Sequence, residues 1–125
     1  MRKVFIDGNC WNIDFCNSNV DNLFIFGDNF DNPISKIKVC SNVIGLPIKK
    51  NKNEYFDDVN LKDNMKFIDE FFDRIMKVIL YNNYRNVVVS EKIFYLSYCG
   101  EKAPLTYKHI GKRITALMNM FNYKN

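Results

Sequence analysis

Residues 61–89 read LKDNMKFIDEFFDRIMKVILYNNYRNVVV and carry the clearest pattern in the chain. Apolar side chains recur every three or four positions, which predicts an amphipathic helix over residues 61–82 with one broad buried face. The run Val87–Val89 follows at once and is typical of a buried strand. Because a strand is also predicted over residues 43–48, the three elements favour a parallel pair of strands joined by a right-handed crossover. The helix face comprises Met65, Ile68, Phe72, Ile75 and Ile79.

The pattern on either side of this unit predicts one α/β domain that covers residues 1–125. No repeat or low-complexity linker interrupts it, and a chain of 125 residues suits a single core. We therefore expect three layers, with a mixed, largely parallel sheet flanked by helices. The other predicted elements are strands at 3–6 and 23–26, a strand or part of a hairpin at 11–15, a short helix at 33–40, a strand or packed loop at 93–98 and a second helix at 104–121.

Composition argues against nucleic acid and membranes as partners. The net charge of +4 comes from 18 Lys and Arg against 14 Asp and Glu, and Lys dominates. Nucleic-acid binding is therefore unlikely, because such proteins usually carry a denser basic stripe with more arginine. No apolar run approaches the ~20 residues that span a bilayer. With no secretory signal before the first strand, the expected location is the cytoplasm.

The cysteines predict free thiols and no metal site. Cys10, Cys16, Cys40 and Cys99 include no closely spaced pair of the kind that zinc requires. Buried structural cysteines in a reducing compartment are the favoured interpretation. No cofactor is expected.

Two segments are candidates for ligand contacts. Gly27, Asp28 and Asn29 end a buried strand, the place where open α/β sheets bind ligands. The carboxylate or amide could hydrogen-bond a ribose or base, or the three residues could simply form a turn. Lys49 and Lys50 follow the next predicted strand and could meet a phosphate or lie in a solvated loop.

Other reactive residues give weaker signals. His109 is the single histidine, and no pattern supplies the orienting partner that a general base needs. Asp57 and Asp58 are adjacent, so they form a weak acid–base pair, although they could act separately or cap the helix that follows. Trp11 and Tyr95, with Tyr98, could stack on a base, but rings in an aromatic-rich chain more often belong to the core.

Three short motifs resemble a family of small phage and bacterial proteins. LFIFGDN at 23–29 matches its FGDN motif, and NVIGLPIKK at 42–50 is similar to its GIPTKK motif. An Ala-Pro pair before the last helix, Ala103-Pro104, also resembles it. That family is similar to macro-like domains, so the resemblance implies a macro-like fold, an ADP-ribose-like ligand, and Gly45 and Pro47 as further site residues. The chain departs from the family by lacking its two glycine-rich loops and by carrying Ile48 in place of threonine.

These observations predict a protein that binds a nucleotide-derived small molecule without turning it over. If the chain is viral, it would sequester a defence signal in the host cytoplasm. On this view Asp28→Ala abolishes ligand binding and leaves the melting temperature almost unchanged. Two alternatives remain open. One is an interaction module with a closed pocket, whose aromatic surface at residues 94–98 binds a host protein or a second copy. The other is a hydrolase of ADP-ribose-like substrates that uses Asp28 or Asp57.

Overall fold

The computed structural model describes residues 3–30, 34–93 and 101–122, and a four-stranded sheet lies at its centre. The strand order is β1-β4-β2-β3, and all pairings between the four strands are parallel. The α/β class is thus confirmed, but the predicted mixed sheet is corrected to a parallel one in the described chain. Helical segments between successive strands return the chain to the same end of the sheet. The strands are β1 (Lys3–Asp7), β2 (Asn22–Asp28), β3 (Val43–Pro47) and β4 (Asn86–Ser90).

Helices cover both faces of this sheet. On one face lie α2 (Leu61–Tyr81) and α3 (Pro104–Asn122), whose apolar stripes pack on the sheet in a single cluster. On the other face lie α1 (Ile13–Asn17) and a 3-10 helix (Ile34–Val39), which form a second, smaller cluster with the sheet. The two long helices confirm the predictions from residue periodicity. A further short 3-10 turn (Asp58–Asn60) precedes α2.

The segment at 11–15 differs from its prediction. Instead of a strand or hairpin, it leads into α1, because the Asn12 side chain accepts a hydrogen bond from the Phe15 backbone N–H at 2.8 Å. Such a cap satisfies one of the free N–H groups of a helix start. Only Cys16 of α1 is buried, so the helix has no apolar periodicity for the sequence to display.

The outer edge of β1 is closed by a side chain. The Asn122 amide accepts a hydrogen bond from the Val4 N–H at 2.9 Å and donates one to the Val4 carbonyl at 2.6 Å. It therefore takes the place of a neighbouring strand at this residue and blocks strand addition there. The end of α3 is in this way fixed to the sheet.

Candidate functional site

A cavity lies over the carboxyl ends of β1, β4 and β2. Its volume is about 650 Å³. The strand register brings Asp7 beside Ser90 and Phe26 beside Gly45, on the face that carries α1. The turn after β1, the start of α1 and the 3-10 helix wall the space above this row. The lining residues are Asn9, Cys10, Trp11, Asn12, Ile13, Asp14, Phe26, Lys36, Ile37, Ser90 and Lys92.

The indole of Trp11 is held in a fixed position in this wall. Its Nε1–H donates to Asp7 Oδ2 at 2.8 Å, and its ring packs edge-on against Phe24 with centroids 5.0 Å apart. Asp7 Oδ1 also accepts hydrogen bonds from the backbone and side chain of Asn9. The bond from Trp11, with those from Asn9, keeps the pKa of Asp7 below its ordinary value, although burial opposes the shift. The turn between β1 and α1 is therefore organised around one ionised carboxylate.

Asp28 organises the turn that follows β2. It is only 3% exposed, and its carboxylate accepts hydrogen bonds from Lys38 Nζ and from the Phe30 N–H, both at 2.8 Å. Phe30 adopts a left-handed backbone with φ of 66°. These contacts tie the end of β2 to the 3-10 helix, and that helix brings Lys36 and Ile37 to the cavity. Asp28 therefore positions a wall of the cavity.

Asp28→Ala is expected to lower the free energy of unfolding by about 2 kcal/mol, since it removes two hydrogen bonds to a buried charge. This revises the expectation that the melting temperature stays almost unchanged. Urea denaturation measures the effect, and Asp21→Ala, the same change at an exposed aspartate, should stay within about 0.5 kcal/mol of the parent. Equal midpoints for the two variants would contradict the structural role of Asp28.

The two predicted lysines lie elsewhere. Lys49 is 7% exposed, donates to the Lys52 carbonyl at 2.9 Å and lies over the Tyr55 ring at 4.6 Å. Lys50 is exposed and lines two other cavities, of about 560 and 390 Å³. Neither lysine lines the 650 Å³ cavity.

The remaining predicted site residues frame the strand ends. A Cβ on Gly27 would come within 3.1 Å of Ile48 and 3.2 Å of Ile93, so this glycine allows close packing beneath the sheet. Pro47 pairs with Asp28, and Asn29 is half-buried beyond it. Tyr95 lies outside the described residues. Apart from Trp11, none of the predicted site residues that the structure describes lines the 650 Å³ cavity. The residues outside its lining include Gly27, Asp28, Asn29, Gly45, Pro47, Lys49 and Lys50.

Sequence reasoning found one residue of the cavity lining, Trp11, as a candidate for stacking on a base, and missed most of the others. Asn9 and Ser90 come at the ends of β1 and β4, so the strand-end rule applied to Asp28 also selects them once these strands are known to be parallel. Lys36 and Lys92 gave no signal, because their place depends on how the 3-10 helix and the turn after β4 meet.

The other ionisable groups have partners in the helical layers. His109 Nε2 lies 2.7 Å from Asp69 Oδ1 on α2, and Arg113 approaches the same carboxylate at 3.5 Å. This orienting partner comes from a distant segment, which is why no local pattern indicated it. His109, Asp69 and Arg113 do not line the 650 Å³ cavity.

The aspartate pair has two structural roles. Asp57 accepts a hydrogen bond from the Val59 N–H at 2.9 Å, and Asp58 accepts three from the first turn of α3. The predicted cap on the helix that follows, α2, is not found: Asp57 caps the short 3-10 turn before α2, and Asp58 caps α3, the later of the two long helices.

The described thiols differ in their surroundings. Cys16 and Cys40 are buried, and burial, with Cys40 as a second cause, raises the pKa of Cys16 to about 11. Cys10 is exposed at the cavity, with Lys92 Nζ 2.8 Å from its sulfur. Cys99 lies outside the described residues. Within residues 3–30, 34–93 and 101–122, no group of three His, Cys, Asp or Glu side chains is arranged to hold a metal ion.

Comparison with known proteins gives one match. The model of a protein family described as a family of unknown function (DUF7831) matches residues 6–113. The match covers β2, β3 and β4 in full and the end of β1. No curated protein and no solved structure matches the chain. Among the described helices, none is both long and apolar enough to cross a membrane.

Proposed function

The chain belongs to the family of unknown function DUF7831, and we propose that it binds a nucleotide-derived small molecule in the 650 Å³ cavity without turning it over. The observation that carries this proposal is an immobilised indole in an apolar cavity at the ends of parallel strands. Crevices at this end of open α/β sheets are the usual place for ligands. Small-molecule sites typically measure about 300–1,000 Å³, which brackets the cavity.

Trp11 supports an aromatic ligand group. An indole has a single hydrogen-bond donor, and Asp7 already occupies it. The ligand therefore meets the ring itself, and stacking of a base on an aromatic ring contributes about 1–3 kcal/mol. Ile13, Phe26 and Ile37 add apolar surface to the same space.

The polar part of the lining supports binding over turnover. Among the described lining residues Asp14 is the single carboxylate, and His109 lies elsewhere. The two carboxylates predicted for hydrolysis, Asp28 and Asp57, are both engaged in turns and do not line the cavity, so they supply no general acid or base there. Asn9, Asn12 and Ser90 offer neutral hydrogen-bonding groups, which suit recognition of a sugar or a base edge.

Trp11 is the only tryptophan in the chain, so its fluorescence reports directly on the cavity. Titration with ADP-ribose, its cyclic isomers, NAD and cyclic di- and trinucleotides should give a saturable change in emission with at least one ligand. Trp11→Ala should weaken binding of that ligand, measured by calorimetry, about 5- to 150-fold, and Trp11→Phe much less, because the ring is retained. Recovery of the ligand unchanged would support binding without turnover, whereas an altered product would indicate an enzyme. No response to any of these ligands would contradict the proposal.

A macro-like arrangement and a role in sequestering a defence signal are the finer parts of this proposal. They rest on the FGDN- and GIPTKK-like motifs at 23–29 and 42–50, together with the parallel sheet between helical layers. Gly45 of the second motif lies against Asp28 of the first, so the two motifs form one packed unit at the strand ends.

An interaction module is the second candidate. Phe5 and Phe15 are each 42% exposed on the α1 side of the sheet, where Phe15 contacts the buried Phe24. Exposed rings on one face are typical of contact surfaces. The segment first predicted for this role, residues 94–98, lies outside the described residues. A Trp11 titration without any response would favour this candidate over small-molecule binding.

A further inference from the structure

We infer that the cavity recognises a phosphate group of its ligand through Lys36 and Lys92, and that it favours nucleotides of low total charge. This inference rests on the proposed function and names the class of ligand. The two lysines enter the cavity lining from different elements, Lys36 from the 3-10 helix and Lys92 from the turn after β4.

Some lysines near the strand ends already bind a protein group, and others have ammonium donors available for a ligand. Lys38 is paired with Asp28, and Lys49 donates to a backbone carbonyl. Lys36, by contrast, makes no hydrogen bond or ion pair with any residue that the structure describes. The ammonium of Lys92 contacts the sulfur of Cys10, a weak acceptor that leaves its other donors available. Of the lysines near the strand ends whose ammonium groups are available, Lys36 and Lys92 are the two that line this cavity, whereas Lys50 lines two others.

The backbone beneath each of these lysines is anchored. Ile37, next to Lys36, is 6% exposed and packs in the apolar cluster below α1. The Lys92 N–H donates to Ser90 Oγ at 3.3 Å. Both side chains thus extend from fixed points, so a phosphate between them needs only side-chain ordering.

Phosphate recognition by side chains fits the composition of the loops. A backbone cradle for phosphate uses closely approaching N–H groups, which glycine permits. Residues 28–44 and 91–99 contain no glycine. Lysine supplies a mobile point charge on a long stem, so it can reach a phosphate without a close approach of the backbone.

Asp14 limits the charge that the ligand carries. It is the one carboxylate among the described lining residues, so the lining holds two cations and one anion. A phosphate monoester or a diphosphate diester, each with a charge of about −2 at neutral pH, comes closer to the net charge of this set than a triphosphate, which adds repulsion. The oxygens of Asp14 suit the hydroxyl groups of a ribose, which donate hydrogen bonds.

Binding of adenosine, AMP, ADP-ribose and ATP, followed by Trp11 fluorescence at low and moderate salt, tests this inference. AMP and ADP-ribose should bind about tenfold more tightly than adenosine, since a charge-assisted contact is worth roughly that factor. ATP should bind no more tightly than AMP or ADP-ribose. The advantage over adenosine should shrink as salt rises.

Charge-removing variants separate the inference from the proposed function. In each of the variants Lys36→Met and Lys92→Met, the affinity for AMP should fall close to the affinity of the same variant for adenosine, so that most of the phosphate advantage is lost. Lys50→Met removes the same charge at an exposed position outside the cavity and should have no effect. If adenosine binds as tightly as AMP and ADP-ribose, or if Lys50→Met matches the other variants, the phosphate site is refuted and the proposed function stands. If no nucleoside or nucleotide changes the Trp11 emission, both the phosphate site and the proposed function are refuted.

Discussion

Gly45→Ala is expected to lower the free energy of unfolding by about 2 kcal/mol, whereas Gly111→Ala should raise it by about 0.5–1 kcal/mol. A Cβ on Gly45 would lie 2.9 Å from both Cβ and Oδ2 of Asp28 and 3.0 Å from the Phe26 ring. Asp28 cannot move aside, because Lys38 and the Phe30 N–H hold it. A Cβ on Gly111, in the middle of α3, meets no atom within 4 Å, so alanine there gains helix propensity without strain.

Thermal melts of the two variants make a matched test. A change of 1 kcal/mol corresponds to roughly 4 °C in a domain of this size, so the two midpoints should differ by about 10 °C. Gly45→Ala should also disturb the wall that carries Lys36, because Asp28 connects β2 to that wall. Equal stability of both variants would show that the sheet relaxes around the added methyl group and would remove the packing explanation for Gly45.

Asp58→Ala should lower the free energy of unfolding at neutral pH by about 2 kcal/mol, because Asp58 caps α3 with three hydrogen bonds. Its carboxylate accepts from the Leu105 N–H at 2.8 Å, the Thr106 N–H at 3.0 Å and the Thr106 hydroxyl at 2.8 Å. The buried Asn64 of α2 donates to the same hydroxyl at 3.1 Å. Loss of Asp58 thus frees the start of α3 and the contact between the two long helices. Asp57→Ala, which removes one exposed hydrogen bond, should cost less than about 1 kcal/mol.

The pH dependence of unfolding gives a second readout for Asp58. Burial raises the pKa of Asp58, but the hydrogen bonds from Leu105 and Thr106 outweigh burial and hold the pKa below its usual value of 3.8. A depressed pKa means that the native state favours the charged carboxylate, so its contribution is complete above about pH 4. As pH falls through the lowered pKa, this contribution is lost. Asp58→Asn should therefore flatten the decline of stability in acid, and an unchanged acid limb would contradict the cap.

Most elements of the fold were predictable because near neighbours in sequence define them. The stripe at Ile68, Phe72, Ile75 and Ile79 predicted α2 to within one residue of its observed end, and all four of these side chains are buried. The run Val87–Val89 predicted a strand, and β4 is buried along those residues. The prediction of a strand or hairpin for residues 11–15 was wrong, because a helix with only one buried residue has no apolar periodicity that the sequence could show. The sheet was expected to be mixed because the strand order could not be deduced.

The candidate site was predictable only in part. The motif at 27–29 was correctly placed at a strand end, yet Asp28 is engaged inside the protein and its binding role remains a prediction. Lys49 was selected for phosphate binding by position alone, but its side chain turns to a carbonyl and an aromatic ring. Side-chain direction beyond a strand end depends on the loop that follows, and no local pattern records it.

The sequence by itself determined the class of the domain, its two long helices and the strands on either side of α2, because helix and strand periodicity depends on contacts a few residues apart. The predicted pairing of those two strands was wrong, since β2 lies between β3 and β4 in the sheet. The tertiary structure decided where a ligand can bind. Insertion of β4 between β1 and β2 places Ser90 beside Asp7, and the ion pair of Asp28 sets the wall that presents Lys36. These juxtapositions join residues far apart in the chain. They arise from packing across the sheet, which no short window of sequence contains.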